Sequence, residues 1–272
     1  MPIYLVIDNG SKKPEATLRL REVAAKLSAV AGKTIHAVSL QHADAIEPEQ
    51  LNNIPASTFY SFLQQQLKQG NREFVVLPLF FGLSRALTSF IPEQVALLEE
   101  EFGAFSLKLA DVIFPLPEGE ERLAKILHDN TLASSNNKNR VKENIVLVDH
   151  GSPVEKITEV RKQVALKLNS LLDDHVQVDQ ACMERRAGRE YDFNGHLLED
   201  YLKEQAAKGN HSIIVAMLFF LPGRHAGECG DIQEICDNVI SDYPQLQITI
   251  TPLISEHEDL IAILHDRLLA AE

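Results

Sequence analysis

The chain repeats one pattern of sequence blocks, and this repeat constrains its fold more strongly than any single motif. Residues 4–11 end in Asp-Asn-Gly-Ser and correspond to residues 145–152, which end in Asp-His-Gly-Ser, at an offset of 141 residues (150 − 9). Three further pairs of blocks recur in the same order at offsets of 141, 139 and 137 residues: 23–27 with 164–168, 75–81 with 214–220, and 115–129 with 252–266. Four blocks in one order at nearly one offset predict two copies of one fold.

The boundary between the two copies is predicted to lie in a polar segment. Residues 134–140 combine serine, asparagine, lysine and arginine without apolar periodicity, which is typical of a linker. We therefore expect an N-terminal domain at 1–130, a linker at 131–143 and a C-terminal domain at 144–272.

Nine consecutive apolar residues, Ile213–Leu221, predict a strand that is buried on both faces. Further strands are expected at 144–149, 175–182 and 246–252, and a segment with helical periodicity follows each strand. Alternation of strands and helices is typical of a parallel sheet with right-handed crossovers. The sequence thus predicts an α/β protein with two tandem homologous doubly wound domains, each with a small parallel sheet flanked by helices.

The composition argues against several kinds of partner. A formal net charge of −13 disfavours binding to nucleic acid or to an anionic membrane surface, because proteins that bind these partners use an excess of Lys and Arg. No apolar run approaches the roughly 20 residues of a membrane-spanning helix, and residues 1–8 lack the features of a signal peptide. The three cysteines cannot form a disulfide framework, which fits a reducing compartment. We therefore expect a cytoplasmic protein.

Two histidines mark the predicted active half of the chain. His150 and His225 each follow a predicted strand, and the carboxyl ends of parallel strands lie at one edge of a sheet, where ligands bind. The first copy has Asn9 and Ala86 at the equivalent positions, so it has lost both imidazoles. We predict one active site, with its histidines in the second half.

The motifs Asp149–Ser152 and Leu218–His225, together with the duplication, resemble those of the sirohydrochlorin chelatases of the CbiX/SirB type in their long, two-copy form. The resemblance spans essentially the whole chain and implies a class II chelatase-like fold. It implies a lyase that inserts a divalent metal, Co²⁺ or Fe²⁺, into sirohydrochlorin, an octacarboxylate tetrapyrrole, during cobalamin or sirohaem biosynthesis. The metal ion would then be a substrate, and no permanently bound cofactor is expected.

The resemblance also assigns site residues. The two characteristic histidines of the family map onto His150 and His225, as catalytic residues and metal ligands, and a glutamate after the second strand maps onto Glu184. A neutral imidazole can hold a borderline divalent ion or accept a pyrrole proton near neutral pH. The carboxylates of the implied substrate require cations and backbone N–H groups. We therefore predict substrate-binding roles for Arg185, Arg186, Arg189, Arg224, Gly223 and Gly227.

Several alternatives stay open at this point. Glu184 can instead form a solvated ion pair with the neighbouring arginines, which can themselves be a solvated face. The protein can also be a non-catalytic carrier of metal or tetrapyrrole, because insertion needs little beyond ligation and positioning. The run Arg224–Glu228 resembles a histidine phosphatase motif, but Ala226 interrupts it. The chain can be a monomer with pseudo-twofold halves or form a homodimer.

Overall fold

The computed structural model describes residues 2–135, 144–173 and 176–272. The chain divides into two compact units, of which unit 1 comprises Met1–Pro115 with Glu258–Glu272 and unit 2 comprises Leu116–His257. Each unit is a parallel β-sheet flanked by helices, so the predicted fold class is confirmed. No helix in the described part of the chain is long and apolar enough to cross a bilayer.

Unit 1 contains four parallel strands in the order β2-β1-β3-β4. These are β1 (Ile3–Asp8), β2 (Ile35–Ser39), β3 (Glu73–Pro78) and β4 (Ser106–Leu109). Its helices from the N-terminal half of the chain are α1 (Pro14–Ala31), α2 (Phe59–Lys68) and α3 (Ile91–Phe102). The central strands β1 and β3 are covered on both faces, which explains their continuous apolar runs.

Unit 2 contains five parallel strands in the order β7-β6-β5-β8-β9. Its helices are α4 (Glu121–Ser134), α5 (Glu155–Leu171), α6 (Leu198–Ala207) and α7 (Asp231–Asp242). Its strands are β5 (Asn144–Asp149), β6 (Val178–Cys182), β7 (His196–Leu197), β8 (Ser212–Met217) and β9 (Gln247–Ile250). The short edge strand β7 was not predicted, because a two-residue strand has too little sequence to show periodicity.

Strand β8 is shorter than the apolar run that predicted it. The run extends to Leu221, but the strand ends at Met217. The chain then turns, and the carbonyls of Phe219 and Phe220 accept hydrogen bonds from the loop after β9. Leu218 and Phe220 are buried in this turn. The apolar run is therefore longer than the strand because the residues after the strand are also buried.

The compact units do not follow the two halves of the sequence. Helix α4 belongs to the first copy but packs against α5 and β8 within unit 2. The last helix, α8 (Asp259–Ala270), belongs to the second copy but packs against α1 and β3 within unit 1. The predicted boundaries 1–130 and 144–272 thus describe the duplication, and the compact units differ from it by an exchange of terminal helices.

The predicted linker at 131–143 begins inside a helix. Helix α4 extends to Ser134, and its buried residues include Asn130 and Thr131. The first residues of the predicted linker are therefore helical, whereas residues 136–143 lie outside the described residues.

Candidate functional site

His150 and Glu184 meet at the carboxyl edge of the unit 2 sheet. His150 directly follows β5, and Glu184 lies two residues beyond the neighbouring strand β6. The parallel pairing continues past both strands, since Glu184 N donates to His150 O at 3.1 Å. The side chains follow the backbone, with His150 Nε2 and Glu184 Oε1 3.3 Å apart. Both side chains are substantially exposed, so a ligand can reach them.

Gly151 allows this close approach of the two loops. Its φ is +90°, and a Cβ atom at this position would lie 1.9 Å from the carbonyl oxygen of Glu184. Only glycine fits such a backbone conformation and such a contact without a shift of the chain. The glycine of the Asp-His-Gly-Ser motif therefore has a local structural role.

His225 is held by the carboxylate of Asp231, which was not among the predicted site residues. The imidazole Nδ1 lies 2.6 Å from Asp231 Oδ2, and since a carboxylate accepts, Nδ1 is the donor. Asp231 is the first residue of α7, and its amide donates to Arg224 O at 3.0 Å, which ties the loop to the helix. The Nε2 atom of a neutral His225 is then free to bind an ion or a proton. The sequence signal for Asp231 was an acidic residue at the start of a helix, six residues after a histidine.

The two imidazoles lie side by side at this edge. The ring centroids of His150 and His225 are 4.6 Å apart and the rings are inclined by 74°. The Nδ1 atom of His150 lies 3.1 Å from Gly151 O, and since a carbonyl accepts, Nδ1 is the donor here too. A neutral His150 therefore turns its Nε2 lone pair toward the Glu184 carboxylate. Two acceptors at that distance repel each other unless a proton or a cation lies between them, so this pair favours binding one of the two.

This arrangement differs from a permanent metal cage. Within residues 2–135, 144–173 and 176–272, no three or more His, Cys, Asp or Glu side chains form a group that could hold a metal ion. Permanent metal sites in proteins use a closed set of ligands, whereas catalytic sites keep positions open. The metal-ligand roles of His150 and His225 stay predictions.

A buried polar network lies beneath His150. The carboxylate of Asp149 pairs with the Arg161 guanidinium at 2.5 Å, and Arg161 also donates to the carbonyls of Ala181 and Asn194. The Asn194 side chain accepts from Ser152 N at 2.9 Å, which fixes the loop after His150. Burial raises the pKa of Asp149, although the neighbouring Arg161 opposes this. This network holds the end of β5, and so His150, in one position.

The predicted substrate-binding arginines differ in their surroundings. Arg185 donates to Gly195 O and pairs with Asp192 at 3.2 Å, whereas the Arg186 guanidinium lies over the Tyr191 ring at 5.9 Å. Arg224 is 78 % exposed at its side chain, with its Nε 3.6 Å from Asp231 Oδ2. Arg189 is exposed at the start of the 3₁₀ turn Arg189–Asn194. The roles of these arginines toward a substrate stay predictions.

The two predicted glycines have structural roles in the loop. The amide of Gly223 donates to Ala226 O at 2.8 Å, so it is engaged within the loop and is not available to a substrate. The turn itself uses that donor, and the substrate-binding role of Gly223 stays a prediction. Gly227 has a φ of +94°, a conformation that favours glycine, and a substrate role for it stays a prediction.

Unit 1 keeps the counterpart of the carboxylate in the buried network beneath His150, but not the counterpart of its cation. Asp8 corresponds to Asp149, and Leu20 stands at the position of Arg161 (161 − 141). Burial raises the pKa of Asp8 to about 6, and its Oδ1 atom is buried without a hydrogen-bond partner. The first copy has thus lost the imidazoles and also the ion pair that supports one of them.

We expect Asp8→Asn to stabilise the protein above pH 6. The pKa of Asp8 rises from 3.8 to about 6 on folding. Its contribution to the free energy of unfolding is therefore fully present below pH 3.8 and is lost as the pH rises through 6. Asparagine removes this loss, with an upper bound of about 3 kcal/mol at pH 8. Urea denaturation of both proteins at pH 4 and pH 8 measures it, with the exposed substitution Asp44→Asn as control. An equal difference at both pH values would contradict the assignment.

Comparison with known proteins places the site in a family. Residues 144–271 match the CbiX family model. No curated protein matches the chain in sequence. SirB from Bacillus subtilis with Fe3+ has a TM-score of 0.71 and 14% identity, covering 100% of this chain and 96% of that one. SirB of subspecies spizizenii, a sirohydrochlorin chelatase in complex with cobalt, has a TM-score of 0.64 and 13% identity over 100% of this chain and 94% of that one.

A third solved structure extends the same likeness. CbiX, described as the terminal enzyme for biosynthesis of siroheme in denitrifying bacteria, has a TM-score of 0.63 and 15% identity, covering 99% of each chain. At these identities the solved structures show a shared fold over the whole chain, and the family model adds the match in sequence. The C-terminal half of the chain, residues 144–271, therefore belongs to the CbiX family, as the motifs around His150 and His225 predict.

Proposed function

We propose that the protein is a sirohydrochlorin chelatase that inserts Co²⁺ or Fe²⁺ into its tetrapyrrole substrate. The main support is the pair of imidazoles at the carboxyl edge of the unit 2 sheet, 4.6 Å apart, in the half that matches the CbiX family. Each Nδ1 donates to a protein oxygen, so each Nε2 can serve a ligand. Similar folds in structures with Fe3+ and with cobalt support both candidate metals. Insertion of either would serve cobalamin or sirohaem biosynthesis.

The chemistry of insertion matches the groups at this edge. The macrocycle loses two pyrrole protons while the divalent ion loses water, so the ring receives the ion and releases two protons. In our proposal His225, oriented by Asp231, holds the incoming ion through Nε2. His150 and Glu184 accept the pyrrole protons and pass them to solvent. The half-exposed position of both groups gives those protons a path to water.

Local cations offset the acidic background of the chain. A net charge of −13 repels an octacarboxylate substrate at long range, so binding depends on charges near the site. In our proposal Arg186 and Arg224 take substrate carboxylates, because neither is buried and Arg224 is mostly exposed. Arg185 already pairs with Asp192 and contributes less. Arginine suits this role because its planar guanidinium pairs carboxylates in a bidentate way.

Metal insertion can be followed directly by absorbance. Sirohydrochlorin in large molar excess over the protein is mixed with Co²⁺ or Fe²⁺ in separate reactions, and the spectral change of the macrocycle is recorded. Many insertions per protein molecule are expected with at least one metal. A change that stops at one equivalent would identify a carrier, and no acceleration with either metal would reject the function. Hydrolysis of a phosphomonoester instead would favour the phosphatase alternative.

We expect Asp231→Asn to lower the insertion rate about 10- to 100-fold, as is typical when the partner of a functional histidine is replaced. An amide nitrogen can donate to Nδ1, which places the ring proton on Nε2 and blocks it. Nitrogen NMR of His225 should report the changed tautomer, which a merely structural role would not produce. Asp237→Asn, on the same helix and bonded to Gln233, is the matched control with an unchanged rate. A normal rate in Asp231→Asn would contradict the positioning role.

A further inference from the structure

The loop between β6 and β7 is fixed at both ends to the loop that follows β5. We call residues 184–195 the site loop. At its start, Glu184 N donates to His150 O at 3.1 Å. Near its end, the Asn194 side chain exchanges two hydrogen bonds with the backbone of Ser152. The residues between these two ends are therefore tethered to the histidine site.

Asn194 uses its whole side-chain amide to fix the site loop, and the residue is 0% exposed. Its Nδ2 donates to Ser152 O at 2.9 Å and to Tyr191 O at 3.1 Å. Its Oδ1 accepts from Ser152 N at 2.9 Å and from Thr158 Oγ1 at 3.2 Å. An amide has two N–H hydrogens and two acceptor lone pairs, so all four are engaged. The backbone of Tyr191 is held by this amide and also donates from N to Gly188 O at 3.1 Å.

Two adjacent arginines of the site loop are engaged in different ways. Arg185 donates to Gly195 O and pairs with Asp192, both at 3.2 Å, so it braces the loop itself. Arg186 is exposed, and its guanidinium carbon lies 5.9 Å from the centroid of the Tyr191 ring. Within residues 2–135, 144–173 and 176–272, no carboxylate forms an ion pair with Arg186. The contact that the structure gives to this cation is an aromatic ring.

The contact with Tyr191 restrains Arg186 without using its capacity to bind a carboxylate. An aromatic ring attracts a cation through its face and offers no oxygen acceptor, so the N–H groups of the guanidinium stay available for a bidentate pair. The ring also limits the rotamers of a long side chain that would otherwise be free in solvent. A side chain that is ordered in advance loses less conformational entropy when a ligand binds.

We propose that Tyr191 is a positioning residue for the substrate, which holds the Arg186 guanidinium in place to bind one carboxylate of the tetrapyrrole. Because Asn194 ties Tyr191 to the loop after His150, this carboxylate is bound at a set position relative to the histidines. Such a contact favours one orientation of the macrocycle over the others. The inference rests on the proposed function for the identity of the ligand, a tetrapyrrole with carboxylates.

Binding of sirohydrochlorin to the full chain without metal, followed by absorbance titration, tests this role. Arg186→Gln should raise the Kd about tenfold or more, because a bidentate charge-assisted pair is lost. Tyr191→Leu should raise it about two- to fivefold, the usual effect of losing an exposed cation–π contact, whereas Tyr191→Phe keeps the ring and should retain binding. Arg19→Gln removes the same charge from α1, where Arg19 pairs with Glu22, and should leave the Kd unchanged.

The double variant Arg186→Gln/Tyr191→Leu separates a positioning role from a merely structural one. If Tyr191 acts through Arg186, the double variant should bind sirohydrochlorin no more weakly than Arg186→Gln alone. In metal insertion, Tyr191→Leu should raise KM by the same two- to fivefold, with kcat changed by less than about twofold. Equal weakening by Tyr191→Leu with and without Arg186, or an equal loss of binding in Tyr191→Phe, would overturn the inference.

Failure of this inference can be distinguished from failure of the proposed function. Multiple turnovers together with an unchanged Kd in Arg186→Gln and Tyr191→Leu would overturn the positioning role and leave the function standing. Binding that follows the predicted pattern without any turnover would support the positioning role and identify a tetrapyrrole carrier. No binding of sirohydrochlorin by the unchanged protein would overturn both.

Discussion

Replacing His225 by alanine is expected to lower the rate of metal insertion about 10²- to 10⁴-fold, the usual contribution of a positioned acid–base or ligating group. The substitution removes the Nε2 atom that Asp231 orients and leaves the Asp231 carboxylate facing Arg224 alone. The fold should be retained, since the His225 side chain is partly exposed and its backbone contacts persist. The measurement is the initial rate of the spectral change at saturating sirohydrochlorin.

The matched control is His211→Ala. His211 lies just before β8, at the amino end of the same strand that positions His225 at its carboxyl end. The His211→Ala variant should insert metal at the normal rate. His150→Ala should resemble His225→Ala, and the double variant should lose little more than either single one, because residues that act on one event are not additive. A normal rate in His225→Ala would contradict the site assignment.

Replacing Arg161 by methionine is expected to lower the free energy of unfolding by about 3–5 kcal/mol, the usual result when one partner of a buried ion pair is removed. Methionine keeps much of the apolar stem, so the main change is a buried Asp149 carboxylate without its cation. The carbonyls of Ala181 and Asn194 also lose their donor. Urea denaturation at pH 8 measures the change.

The pH dependence of this loss has a defined sign. Burial already raises the pKa of Asp149 on folding, and loss of Arg161 raises it further. Stability contributed by a group with a raised folded pKa is lost as the pH rises, so the variant should be destabilised less at pH 5 than at pH 8. Adding Asp149→Asn should recover part of the loss.

The neighbouring substitution Lys162→Met is the control for Arg161→Met. Lys162 is a half-exposed residue of α5 whose Nζ lies 3.9 Å from Glu159 Oε2, so its replacement should change stability by about 0.5 kcal/mol or less. An Arg161→Met variant no less stable than this control would contradict the role of the buried pair. So would a loss that Asp149→Asn does not relieve.

The fold could be predicted well from the sequence because the repeat and the apolar runs are local signals. Strands β5 and β8 appear as Asn144–Asp149 and Ser212–Met217, within or near the predicted ranges. Their order in a parallel sheet follows from alternation with helices, and this placed His150 and His225 at one edge. The contact between the two rings follows from that placement.

Features that depend on distant parts of the chain could not be predicted. The exchange of α4 and α8 between the units requires knowledge of which surface each helix covers, and both helices look alike in sequence. Arg161 gave a weak signal, a single cation among the apolar positions of α5, but its partner Asn194 lies in a 3₁₀ turn with no periodicity. Asp231 looked like an ordinary helix start, and only the structure shows its carboxylate on His225.

The central claim is that one insertion site exists and that it lies in unit 2. The most direct test compares turnover by the double variant His150→Ala/His225→Ala with turnover by Asn9→Ala, the change at the position of His150 in unit 1. We predict that the double variant inserts metal about as slowly as His225→Ala, and that Asn9→Ala inserts it at the rate of the unchanged protein. Near-normal turnover by the double variant, with loss of turnover in Asn9→Ala, would contradict the account.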